Sequence, residues 1–182
     1  MSSKKFLDTA TYLNDIWLLA SKVMKSSWRP DILIALWRGG APVGVAVHEF
    51  FKVAGLEVEH IPLKCFSYTG IDTSTEEVFF EQGDEIFKKL NKESRVLVVD
   101  DVFDTGRTAQ AVKARIDAVG AQMRMATVYW KPAKNKTNLI PDYYAKDVGN
   151  QWLVFPHEIE GLSNEEIAEK SPFLAKLLSE VK

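Results

Sequence analysis

Val96-Leu97-Val98-Val99-Asp100-Asp101-Val102-Phe103-Asp104-Thr105-Gly106-Arg107-Thr108 is a short apolar run, three carboxylates and a Thr-Gly-Arg-Thr turn. Ala109, Val112, Ile116 and Val119 follow at helical spacing, with Gly120 as a stop. Four consecutive apolar residues between polar flanks suit a strand buried on both faces of a parallel sheet. The stretch therefore reads as strand, tight loop and helix.

Working outward, the same alternation recurs. Leu13, Ile16, Trp17, Ala20, Val23 and Met24 mark one face of an opening helix from Thr9, and Asp31 leads into a first core strand, Ile32-Leu33-Ile34-Ala35-Leu36. Arg38-Gly39-Gly40 breaks that run. Ala41 to Phe51 then reads as a helix, with Pro42 in its first turn and Gly55 as its stop. A second strand is predicted over Val58 to Phe66. Ser67 to Gln82, rich in threonine, serine and acids without periodicity, reads as a mobile loop, with Val78-Phe79-Phe80 as a candidate hairpin edge. Ile86 to Leu90 is a short helix candidate, and Met123 to Trp130 and Tyr143 to Val148 are further strands. The tail opens with a capping box, Ser163 and Glu166, before one or two helices around Pro172. Strands alternating with helices predict an α/β fold around a mainly parallel sheet, in which ligands lie beyond the carboxyl ends of the strands. The unusual residues fall at those ends.

At 182 residues and 46% hydrophobic, the chain is expected to form one domain with one sizeable core. Its 23 basic and 25 acidic residues are dispersed, so neither a nucleic-acid face nor a membrane surface is expected. Ile32 to Phe51, the most apolar stretch, is interrupted by charges, a proline and glycines and does not read as a membrane span. The lone Cys65 has no internal disulfide partner and the Met-Ser-Ser-Lys-Lys start lacks an apolar signal region, which predicts a cytoplasmic location. His48, His60 and His157 lack metal-ligand spacing. Cys65, with no basic neighbour, reads as a packed strand residue.

The loop after Val99 has the groups of an anion site. Its turn offers backbone N–H groups and two hydroxyls at the positive end of a helix dipole, which suits a dianionic phosphate without a lysine. Asp100 and Asp101 suit a pair of vicinal hydroxyls and a divalent metal. Together they describe a ribose 5-phosphate site; the plainer alternative is a solvated loop with Thr108 as a helix cap.

This segment resembles the signature that binds phosphoribosyl pyrophosphate (PRPP) in the type I phosphoribosyltransferases, and the likeness extends over roughly Ile32 to Glu158. The resemblance implies a mainly parallel sheet flanked by helices over about residues 30–131, with a small hood for the base from about 132–160 plus the N-terminal segment. It implies that Asp100 and Asp101 bind the ribose hydroxyls directly or through Mg²⁺, and that Asp104, Thr105, Gly106, Arg107 and Thr108 form the phosphate loop. In the purine branch the acid at Asp104 also lies near N7 of the base, as the candidate for proton transfer. Trp37, Arg38 and Gly39 look like the pyrophosphate loop, which implies a cis Trp37–Arg38 peptide. Ser67 and Tyr68 look like the start of the catalytic lid that keeps water from the ribosyl centre.

Lys131, after the strand ending in Trp130, bears an ammonium that donates to an exocyclic oxygen and is a poor partner for an exocyclic amine, which favours a 6-oxopurine over adenine. Trp152 offers a flat face for stacking a purine. Lys131 and Trp152 resemble the base pocket of hypoxanthine, guanine and xanthine phosphoribosyltransferases, closest to the compact bacterial xanthine–guanine type. By that likeness Leu153 presents backbone groups to the base edge. Glu158 stands where the family often has an aspartate near the metal, a departure of one methylene that leaves it a weaker metal candidate than Asp100 and Asp101. The implied activity is transfer of 5-phosphoribosyl from PRPP to N9 of a 6-oxopurine, in a homo-oligomer. Two rivals stay open: a PRPP-sensing regulatory protein of the same fold, and a phosphoribosyltransferase for another base.

Overall fold

The computed structural model describes residues 4–69 and 76–181. The chain packs as two compact units, one of Leu13–Asn150 and one of Met1–Tyr12 with Gln151–Lys182.

The larger unit is built on a six-stranded sheet in the order β4-β3-β2-β5-β6-β7. Its strands are β2 (Ile32–Trp37), β3 (Glu59–Thr69), β4 (Glu76–Glu81), β5 (Arg95–Phe103), β6 (Gln122–Trp130) and β7 (Tyr143–Asp147). All neighbours are parallel except β3 and β4. The helices are α1 (Thr9–Lys25), α2 (Gly40–Val53), α3 (Gly83–Lys88) and α4 (Arg107–Ala118). The continuous apolar runs explain the doubly covered sheet. Ile34, Leu36, Val96 and Val98 enter one core with Phe87, Val112 and Ile116 of the α3 and α4 side. Leu33, Leu97 and Val99, one residue out of phase, are equally buried outside that cluster. α2 packs on β2 and β5, and α4 on β6.

Of the stretch read as a mobile loop from Ser67 to Gln82, positions 70–75 lie outside the described residues and the rest is mostly strand, in line with the candidate edge at Val78-Phe79-Phe80. β3 runs on to Thr69 and pairs antiparallel with β4, Phe66 opposite Phe79 and Cys65 opposite Phe80. The stacked Phe66 and Phe79 rings, 5.9 Å apart, are a cross-strand pair of the kind that stabilises such ribbons. Cys65 is, as expected, a packed strand residue, its thiol pushed up to about 11 by burial and then by the charge of Asp100. One buried polar network lies in this unit: the Tyr129 hydroxyl donates to Asp15 at 2.8 Å, and Lys146 pairs with the other oxygen of that carboxylate at 2.7 Å.

In the smaller unit β1 (Lys4–Phe6), which the sequence pattern did not indicate, pairs parallel with β8 (Trp152–Val154). The tail forms α5 (Asn164–Lys170) and α6 (Pro172–Glu180). The capping box is present in full, Glu166 N–H donating to the Ser163 hydroxyl and Ser163 N–H to the Glu166 carboxylate. Among the described residues no helix is long and apolar enough to cross a membrane.

Candidate active site

β2, β5 and β6 are adjacent and parallel, so their carboxyl ends lie along one edge of the sheet. Arg38 follows β2, Asp100 and Asp101 stand in the last residues of β5, and Lys131 follows β6. The Lys131 N–H donates to the Phe103 carbonyl at 3.0 Å, extending the β5–β6 ladder by one residue and placing the lysine beside the loop that begins at Asp104.

The loop after β2 lies directly against the acids of β5. A Cβ on Gly39 would stand 2.3 to 2.5 Å from the carboxylate atoms of Asp101, so no side chain fits there without moving that acid. The Trp37–Arg38 peptide is cis. Trp37 and Arg38 are both exposed, Trp37 by 50%.

Asp100 and Asp101 each turn one oxygen back onto the chain. Asp101 N–H donates to Asp100 Oδ1 at 2.9 Å, and Val102 N–H to Asp101 Oδ1 at 2.7 Å. Burial, and then the neighbouring charge of Asp101, hold the Asp100 carboxyl well above the ordinary carboxylate range. A divalent cation at this pair would offset both causes. Among the described residues no group of three or more His, Cys, Asp or Glu side chains is gathered as a cage. Two adjacent carboxylates fit magnesium, which is commonly held by one or two carboxylates while substrate phosphates and water complete its shell.

The loop between β5 and α4 is fixed by what lies behind it. Gly106 has φ 78° and caps α4, and a Cβ there would also stand 2.4 Å from the Thr137 hydroxyl and 2.8 Å from the Asn135 side-chain oxygen. Glycine is thus required by both conformation and space. Lys136 N–H donates to the Thr105 carbonyl at 2.9 Å, tying the loop to the segment after β6. No side chain of the cap residue covers the first turn of α4, which leaves a helix N-terminus of the kind that receives phosphate. Asp100, Asp104, Thr105, Gly106 and Thr108 line part of a cavity of about 100 Å³ at this loop.

Asp104 faces two ammonium groups, Lys131 and Lys134, each 3.5 Å from the same carboxylate oxygen. Lys131 is 7% exposed, and a buried ammonium needs such a counter-charge. Lys134 was not singled out from the sequence. The signal is Lys131-Pro132-Ala133-Lys134: proline opens a single 3₁₀ turn, Pro132–Lys134, whose last N–H donates back to the Lys131 carbonyl at 3.0 Å, and both lysines reach the same carboxylate.

Ser67 and Tyr68 lie in the hairpin, with backbones opposite Val78 and Glu77, while their side chains lie outside the described residues. Trp152, Leu153 and Glu158 belong to the smaller unit. Trp152 is 55% exposed and Leu153 is buried. The Glu158 carboxylate accepts from the Phe155 N–H at 3.3 Å, and the Glu158 carbonyl from Lys170 at 2.6 Å.

The profile of a family described as phosphoribosyl transferase domain matches residues 2–161. A hypoxanthine-guanine phosphoribosyltransferase of Lactococcus lactis is 31% identical over 86 residues, 47% of this chain and 45% of that protein, so the match spans about half the length of that relative. The bifunctional protein PyrR of Acetivibrio thermocellus is 25% identical over 170 residues, 87% of this chain and 90% of that one. Among solved structures, a purine phosphoribosyltransferase from Pyrococcus horikoshii superposes with a TM-score of 0.69 at 26% identity, covering 88% of this chain and 97% of that one.

Proposed function

The chain belongs to the phosphoribosyl transferase domain family, and from that premise we propose that it transfers the 5-phosphoribosyl group of PRPP to N9 of hypoxanthine, guanine or xanthine, giving the purine 5′-monophosphate and pyrophosphate. The observation that carries this reading is the buried Lys131 held 3.5 Å from Asp104 at the start of the loop between β5 and α4. A lysine there offers a donor to an exocyclic oxygen beside a carboxylate able to take a proton, the complement of the O6 and N7 edge of a 6-oxopurine.

In this mechanism Thr105, Gly106, Arg107 and Thr108 bind the 5′-phosphate through hydroxyls and the amides opening α4. Asp100 and Asp101 accept from the ribose hydroxyls, and are the residues that would hold Mg²⁺, which when bound neutralises charge developing on pyrophosphate. Trp37, Arg38 and Gly39 take the departing pyrophosphate, Arg38 as a fixed cation. The bond from C1 of the ribose to pyrophosphate breaks as N9 attacks, and the proton left on N7 passes to Asp104. Ser67 and Tyr68 begin the segment that excludes water from the ribosyl centre, and Trp152 and Leu153 contribute stacking and base-edge contacts. Much of the acceleration on this account is positioning and charge stabilisation.

The second reading is a PRPP-sensing regulatory protein of the same fold, which would keep the phosphate loop and the Asp100–Asp101 pair without transferring to a base. The test is to supply the purified protein with PRPP, Mg²⁺ and each of hypoxanthine, guanine, xanthine, adenine, uracil and orotate, and to follow nucleotide formation. Product with a 6-oxopurine alone is expected. Product only with uracil, orotate or adenine sinks the base assignment, and PRPP binding without any product favours the regulatory reading.

A further inference from the structure

Asp104 carries one negative charge and meets two ammonium groups, and the two lysines are not equivalent. The Lys131 side chain is 9% exposed and that of Lys134 is 42% exposed, yet each stands 3.5 Å from Asp104 Oδ2. Lys134 is also held on a braced support. Its N–H closes the 3₁₀ turn on the Lys131 carbonyl at 3.0 Å, and the Asn135 side chain donates to the Leu139 carbonyl at 2.7 Å. The Thr137 hydroxyl donates to Asn135 at 2.9 Å, and the Lys136 N–H is bonded to the phosphate loop itself. The backbone that carries Lys134 and the loop that carries Asp104 are therefore one connected piece. If Lys131 donates to O6 of an arriving base, its hydrogen-bonding capacity is drawn from Asp104 just when that carboxylate must stay aimed at N7. A carboxylate with a second anchor keeps its orientation; one left with water alone does not.

We propose that Lys134, in the 6-oxopurine transfer set out above, is the positioning residue for Asp104, holding its carboxylate in place when Lys131 turns to the base. Lys134 touches neither substrate in this scheme. Its contribution falls on the rate of the chemical step rather than on the binding of PRPP or base.

The test compares wild type, Lys134→Met and Lys134→Arg in steady-state transfer to the best 6-oxopurine, with thermal unfolding of each as the check on folding. The expected result is a kcat roughly tenfold lower in Lys134→Met, with both KM values within about twofold of wild type and most of the rate restored in Lys134→Arg. An unchanged kcat overturns the proposal. So does a raised KM for PRPP at unchanged kcat, which would make Lys134 a phosphate-binding cation, and so does a loss that arginine fails to restore. A crystal structure of Lys131→Met gives a readout independent of turnover, since that variant removes the lysine that would be drawn away. Asp104 should keep its orientation against Lys134, and a carboxylate turned away from Lys134 overturns the proposal. Should wild type transfer to no base, the enzymatic reading falls, while this crystal structure still decides whether Lys134 holds Asp104.

Discussion

Asp100 occupies a place that disfavours its own charge, through burial first and the neighbouring Asp101 second. A carboxyl whose pKa is raised by folding costs stability once the pH passes its unfolded value, here near 3.8, and the cost grows until the pH exceeds its folded value. Asp100→Asn removes that ionisation. In the absence of metal, the variant is expected to unfold at a higher temperature than wild type at neutral pH, with the gain fading toward pH 4, while its transferase activity is lost. Scanning calorimetry across that range checks the sign; a variant less stable than wild type at neutral pH contradicts it. Trp152, 55% exposed, is a second residue whose role is measurable. If it stacks on the base, Trp152→Ala raises the KM for the purine roughly tenfold, by the worth of one aromatic–base stack, and leaves the KM for PRPP unchanged. The acids and glycines of this site were legible in the sequence because their chemistry is local, a strand end followed by a turn and a helix. Lys134 was not, because its meaning depends on a one-turn helix that brings it over Asp104.

Among the elements, α1, β6 and β7 are joined by Asp15, which accepts from Tyr129 and pairs with Lys146. Asp15 is 5% exposed, so Asp15→Ala leaves the buried Tyr129 hydroxyl without this acceptor and is expected to cost about 3 kcal/mol. Denaturant unfolding measures this, and a loss below about 0.5 kcal/mol, the level of an ordinary surface change, would show the network to be inert. The strands of the parallel sheet were readable because runs such as Ile32 to Leu36 and Val96 to Val99 are apolar on both faces. The pairing of β3 with β4 was legible only as a candidate edge at Val78-Phe79-Phe80, because polar residues between Ser67 and Glu77 obscure the alternation, and the decisive contact, Phe66 on Phe79, joins residues thirteen positions apart in the chain. β1 was invisible for a related reason: three residues carry no period, and Lys4 to Phe6 form a strand only through pairing with Trp152 to Val154. Gly106 and Gly120, both at positive φ, marked their turns correctly because glycine reports backbone conformation rather than a distant partner.

For the molecule as a whole, the alternation of strands and helices led to an α/β fold with a mainly parallel sheet, and the family match over residues 2–161 bears out the resemblance drawn from the PRPP signature. The choice of base is a finer matter than the fold. On the function proposed above it turns on Lys131 and Asp104, side chains from two neighbouring strand ends that the parallel order of β5 and β6 brings together. The most direct test is therefore nucleotide formation from PRPP, Mg²⁺ and a 6-oxopurine, by wild type and by Asp104→Asn side by side. The account predicts a purine 5′-monophosphate and equimolar pyrophosphate from wild type, with the rate in Asp104→Asn lower by at least about tenfold. A wild type that binds PRPP yet converts no 6-oxopurine, or an Asp104→Asn variant as fast as wild type, would contradict it.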